Sequence, residues 1–226
     1  LILAAARESL QLWGAGADAR IDFAELAADI AIEAEQAQAL TDQIDDLDER
    51  AANLYAEADP TGIIASAPGV GPVTAAVIAG RLGDPHRFHS LAAIRAYSGL
   101  IPKLSQSGQS QHQHGLTKAG DPLLREALFA AADHARKVDP QLAAKYQRLM
   151  STDRHHDSAI CHIATALLTR IATCWRTGEH YALRDTAGRP IDAEEGRRLV
   201  TAHYRVDRQT RINAANTRQS QRLKGR

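Results

Sequence analysis

Apolar residues return every three or four positions from Phe23 to Leu54. Phe23, Leu26, Ile30, Glu33, Ala37, Leu40, Ile44, Leu47, Ala51 and Leu54 keep this spacing, with one charged interruption at Glu33. Acidic residues crowd the remaining positions. The spacing gathers one stripe on one helical face, so it predicts a single long helix over 22–57 with coiled-coil character. Its partner is an earlier helix of the same chain or a second subunit. The alternative is an amphipathic helix on its own domain. Gly14 and Gly16 predict a break after an earlier helix ending near Trp13. Asp59-Pro60-Thr61-Gly62 stops the long helix.

Beyond that stop the pattern predicts a compact helical body. A short helix, a loop and a second helix fit IIASAPGVGPVTAAVIAGRL. A turn at Gly83-Asp84-Pro85 precedes a helix near 90–97. A polar loop, rich in Gln, Ser and His, is predicted over 99–120. Helices follow at 121–137, 140–150 and 156–176, separated by Asp139-Pro140 and by Ser151-Thr152-Asp153. Ile160, Ile163, Ala164, Leu167, Leu168, Ile171 and Trp175 mark a strongly apolar face. After Arg184 the chain turns polar and basic, with one or two weak helices over 191–226. No second apolar core is evident there.

Composition narrows the class. The 226 residues are 44% hydrophobic and only 4% aromatic, and about a fifth are alanine. Alanine-rich, aromatic-poor chains favour helices over sheets, which excludes an all-β fold. No run of about twenty apolar residues is apparent, so no membrane span is expected. Cys161 and Cys174 are too few for a disulfide framework or a four-cysteine zinc site, and the expected location is the cytoplasm. The fold class is therefore all-α: a coiled-coil region over 1–60, a helical domain containing a helix-hairpin-helix over 61–185, and a basic tail over 186–226.

The formal net charge of zero hides an asymmetry. Residues 1–62 carry 3 basic and 14 acidic side chains, whereas residues 63–226 carry 24 basic and 13 acidic. A basic body behind an acidic arm points to a polyanionic partner. Solvated charge without a partner is the alternative.

Two segments carry candidate chemistry. In Ser66-Ala67-Pro68-Gly69-Val70-Gly71-Pro72-Val73-Thr74, glycines at a helix start let a backbone approach a phosphate. The first amides and the helix dipole then favour the anion. Gly69, Val70, Gly71 and Thr74 are the candidate DNA contacts, and a mere packing turn is the alternative. The loop over 99–120 offers hydroxyls at Ser105, Ser107, Ser110 and Thr117. It also offers cations at Lys103 and Lys118, with Arg125 nearby. A serine among cations can attack a phosphodiester while the cations stabilise charge developing on the phosphoryl oxygens. Composition alone equally permits a flexible connection. His112, His114, His155, His156 and His162 show no recognised metal spacing, so no metal ligand is expected, and Walker and Rossmann glycine patterns are absent.

Taken together, APGVGPVTAAVIAGRLGDPHRF, AAIRAYSGLIP, QSG and HGLTKAGDPLLREAL resemble the C-terminal transposase domain of the IS110 (IS116/IS902) type insertion-sequence transposases. Order and spacing agree over about residues 60–180, and that family also has a coiled coil ahead of this domain. The resemblance implies a DNA recombinase that moves its own element, guided by a structured RNA, and the coiled coil is expected to join copies of the chain into a homo-oligomer. It implies that Ser107, in the Gln106-Ser107-Gly108 motif, is the nucleophile on a DNA phosphate. Lys118 and Arg125 fall on the basic positions of the following motifs, and their phosphate contact is inferred from charge. Ala119 stands where a basic residue is common, and Asp121 where Asn is common. The complete family protein also has an N-terminal RuvC-like domain whose four acidic residues bind Mg²⁺. No such strand run or acidic tetrad precedes the coiled coil here. The expectation is that this chain alone binds nucleic acid without completing strand transfer, as a fragment or a truncated remnant. The competing readings are a non-catalytic DNA-binding helix-hairpin-helix module and an interaction protein built on the coiled coil.

Overall fold

A computed structural model of the chain describes residue 8 and residues 23–107, 110–116 and 119–214; over 102–107 and 110–116 it describes the backbone. The expected helix before Trp13, Lys118 and the last twelve residues lie outside the described residues. The chain divides into two units, Leu1–Asp48 and Glu49–Arg226.

Helix α1, Phe23–Ala58, has the predicted length and limits. In the first unit its described side chains are all exposed. The heptad leucines and isoleucines stand open to solvent, Leu40 at 59% and Leu47 at 58%.

The second unit holds the core. Its helices are α2 (Pro72–Leu82), α3 (Leu91–Ser98), α4 (Pro122–Ala135), α5 (Pro140–Met150), α6 (His156–Thr177) and α7 (Ala193–His203). A 3₁₀ turn at Pro85–Arg87 leads into α3, and 208–214 is also helical. Helix α6 lies at the centre, packed against α3, α4, α5 and the 3₁₀ turn, while α4 also packs on α2. The predicted apolar face of α6 is the middle of this core: Ile160, Ile163, Leu167, Leu168 and Ile171 are buried. By length and composition α6 could cross a bilayer, which the sequence survey overlooked because Arg170 and polar residues interrupt the run. In the fold, that apolar surface is covered by α3, α4 and α5.

The helix starts follow a repeated local rule. Asp84-Pro85, Asp121-Pro122 and Asp139-Pro140 each begin a helical segment. In each, the aspartate accepts a backbone N–H of the first turn: His86 at 2.8 Å, Leu124 at 2.9 Å, Gln141 at 2.8 Å. Proline fits because its missing N–H would be unpaired there anyway. Asp139 is 1% exposed and is also held by Arg170 (2.8 Å) and the Tyr181 hydroxyl (2.6 Å). That network joins α5, α6 and the segment after α6.

Two expectations need correction. The limb before Gly69 is a series of tight turns over 61–66, not a helix. Pro68 lacks an amide, and buried Asp59 takes over the local donors. Its carboxylate accepts from the Tyr55 and Thr61 hydroxyls and the Ile64 amide. The polar segment expected to be loop is a β-hairpin, β1 (Pro102–Ser107) with β2 (Ser110–Leu116). The strands are antiparallel, with Ser107 opposite Ser110 and a register shift between Pro102 and Leu104.

Candidate nucleic-acid interface

The hairpin leaves the helical body where two glycines cross. Gly99 closes α3 in the left-handed region, φ +70°. A Cβ on Gly120 would lie 2.1 Å from the Gly99 nitrogen, so only glycine permits this approach. The Asp121 amide donates to the Tyr97 carbonyl at 2.9 Å, and the Thr165 hydroxyl of α6 donates to the Leu100 carbonyl at 3.0 Å. The hairpin therefore rises from a root fixed to α3, α4 and α6. Sequence reasoning used Gly99 and Gly120 only as loop limits. Their crossing is a tertiary contact with no local signature.

Arg125, in the second turn of α4, reaches this root. Its Nη1 would sit 2.8 Å from a Cβ on Gly99. That nitrogen is buried and, among the described residues, has no hydrogen-bond partner. An unmet donor on a guanidinium is costly unless something accepts from it.

Beside it, Arg81 of α2 pairs with Asp121, donating from Nε at 2.7 Å with a second contact from Nη2. Burial pushes the Asp121 carboxyl upward, but the Arg81 hydrogen bond and the Leu124 amide outweigh it and hold it low. The same hydrogen bond raises Arg81. Asp121 thus caps α4 and ties it to α2, a task the sequence reading did not foresee for the position that departs from Asn.

The glycine turn divides its labour. Gly69 has φ +78°, and a Cβ there would meet Ala131 O at 2.4 Å and Ala135 N at 2.8 Å. It is the point where the turn lies on the backbone of α4. Val70 is buried and its amide donates to the Ala67 carbonyl at 3.1 Å, so it offers no free donor. Gly71 differs. It is exposed, with nothing within 4 Å of a Cβ. It begins α2 with no side-chain cap, and Pro72 follows. From α2 to α7, every other helix start has a side chain accepting from its first turn. The first-turn donors of α2, beside half-buried Thr74, are thus left without a protein side-chain acceptor.

Ser107 ends β1 and Lys103 lies within it. Their backbones are on the hairpin; their side chains, and all of Lys118, lie outside the described residues.

Residues 62–147 match the model of the transposase IS116/IS110/IS902 family. Over 155 residues, 68% of this chain, it is 32% identical to an insertion element IS110 uncharacterized 43.6 kDa protein of Streptomyces coelicolor, covering 36% of that protein. Over 138 residues it is 28% identical to the transposase for insertion sequence element IS1328 of Yersinia enterocolitica, covering 59% of this chain and 40% of the relative. It is likewise 28% identical to the mini-circle putative transposase for IS117 of Streptomyces coelicolor, covering 61% and 33%. The chain spans between a third and two-fifths of the length of these relatives.

Proposed function

We propose, from the premise that residues 62–147 form an IS116/IS110/IS902-type transposase domain, that this chain supplies the DNA-binding and serine-bearing half of an insertion-sequence recombinase. The Ser107 oxygen attacks a DNA phosphorus. The serine proton is lost, a phosphoserine ester forms, and the leaving sugar oxygen takes up a proton. Attack by a second sugar hydroxyl then releases the serine and joins the new strand. Cations near the phosphate stabilise the charge gathering on its oxygens.

The observation that carries this reading is the hairpin root. A strand pair bearing the Gln106-Ser107-Gly108 motif stands on a glycine crossing fixed to three helices, with the unpaired Arg125 nitrogen beside it. A phosphate oxygen is a fitting acceptor for that donor. Gly71 and Thr74 supply a sequence-independent backbone grip at the start of α2, and Lys103 and Lys118 add charge on or beside the hairpin. The guide RNA implied by the resemblance belongs to the same reading. The open heptad stripe on α1 pairs copies of the chain into a homo-oligomer.

The test is Ser107→Ala in a protein carrying the rest of the length that the relatives possess. Strand exchange and the covalent protein–DNA adduct should both vanish while DNA binding persists. Unchanged exchange would remove the serine role. The uncapped start of α2 favours one alternative, a DNA-binding module without chemistry. In that case Ser107→Ala changes nothing, and Gly71→Glu alone abolishes binding.

A further inference from the structure

On the side of the body formed by α5 and α6, two cations reach one histidine and a third stands near the first of them. Lys145 Nζ donates to the His162 carbonyl at 3.3 Å. Arg154 Nη1 lies 3.2 Å from His162 Nε2 and 3.4 Å from the Ser158 hydroxyl. Arg148, one turn beyond Lys145, is exposed and close enough to act on the lysine. Burial lowers the Lys145 ammonium, and Arg148 and Arg170 lower it further. Burial likewise lowers His162, followed by Arg154 and Lys145.

Several other basic groups of this body have carboxylates. Arg81 has Asp121, Arg136 and Lys137 share Asp133, Arg170 has Asp139, and Arg189 has Asp185. Among the described residues, no carboxylate lies within ion-pair distance of Lys145, Arg148 or Arg154. Asp157 is five positions from His162, well round the helix, and faces His155 at 3.5 Å. Asp153 lines a cavity with Arg205 and Asp207. Like charges gathered without counter-charge repel one another, and an anion relieves the repulsion.

We propose that this α5–α6 face is a further phosphate surface, on which Lys145, Arg148 and Arg154 take the backbone of a DNA duplex. The choice of DNA rests on the transposase reading above; the anionic chemistry rests on the cluster itself.

The experiment uses the full chain and a short duplex of arbitrary sequence, with binding read by fluorescence anisotropy across about 50–200 mM salt. Each phosphate contact contributes about 0.9 to the slope of log affinity against log salt. The triple variant K145Q/R148Q/R154Q should flatten that slope by about 2.7, with circular dichroism and thermal unfolding unchanged. The charge-keeping K145R/R148K/R154K should retain the native slope, which separates lost charge from lost fold. An unaltered slope and affinity in the glutamine variant would overturn the proposal while leaving the hairpin reading intact. Slope loss seen only with an RNA duplex would overturn the assignment to DNA. A native chain with no salt-sensitive binding to any duplex would overturn this surface and the transposase reading together.

Discussion

Gly69 and Gly71 are two residues apart in one turn, yet the geometry gives them opposite sensitivities. Gly69→Ala must place a Cβ 2.4 Å from Ala131 O and 2.8 Å from Ala135 N. Those atoms belong to the backbone of α4, which is itself packed on α6 and cannot retreat. Overpacking of this kind costs about 1–3 kcal/mol. The left-handed φ of +78° adds about 1–2 kcal/mol for any L side chain. The expected loss is about 2–5 kcal/mol, a fall of about 5–15 °C in Tm for a body of this size. Gly71→Ala meets nothing within 4 Å at φ −85°. Alanine restricts the unfolded chain, a gain of about 0.4–1 kcal/mol, and caps a helix somewhat less well than glycine. The two nearly cancel, so its stability should stay within about 0.5 kcal/mol of the native protein. Urea unfolding followed by circular dichroism checks both variants, with duplex binding measured on the same samples. Gly71→Ala should remain folded and bind DNA more weakly. A Gly69→Ala protein as stable as the native one would refute the close-packing account of this turn.

Acid should destabilise the body in two stages. His156 and His162 are lowered by burial and then by neighbouring cations. In the unfolded chain they take up protons first, so their contribution is full above about pH 6.5 and is lost as pH falls below it. Burial raises Asp59, but bonds from Tyr55 and the Ile64 amide outweigh it and hold it low. Asp121 and Asp133 are also held low. Their contribution is present above about pH 4 and lost below it. Unfolding free energies measured across this range should fall in both windows, and Tyr55→Phe should weaken the lower limb; constant stability down to about pH 3 would contradict the assignment. For the coiled-coil stripe, analytical ultracentrifugation should find self-association that the double variant Leu40→Lys/Leu47→Lys abolishes, and a native chain monomeric at every concentration would exclude it.

The helices were legible because their signals are local. The heptad stripe fixed α1 to within a residue at each end, and the Asp–Pro pairs marked where α4 and α5 begin. The apolar face of α6 named the centre of the core before any contact was known. What failed was structure whose cause lies elsewhere in the chain. Between Pro102 and Leu116 there is no β-branched or aromatic residue, so strand propensity is weak. The glycine-first pair Gly108-Gln109 was the available hairpin signal in the sequence, and it was submerged in polar composition. The turn before α2 failed differently. Its apolar residues suited a helix, but Asp59, held by Tyr55 from a preceding turn, captures the Ile64 amide.

The same distinction explains how one body serves packing and function at neighbouring positions. Gly69, Val70 and Asp121 are consumed by the fold: they touch α4, the core and Arg81. Gly71, the Arg125 nitrogen and the cations around His162 retain bonding or charge capacity that the described protein groups leave unused. Folding tends to satisfy buried donors and pair charges, so unused capacity on a rigid scaffold marks where a ligand acts. All three features here — an uncapped helix start, a guanidinium nitrogen with no described partner, a cation cluster with no described carboxylate in reach — call for the same chemical complement. Oxygen carrying negative charge satisfies each of them, and along a nucleic-acid backbone such oxygens recur at a spacing that several sites on one body can share.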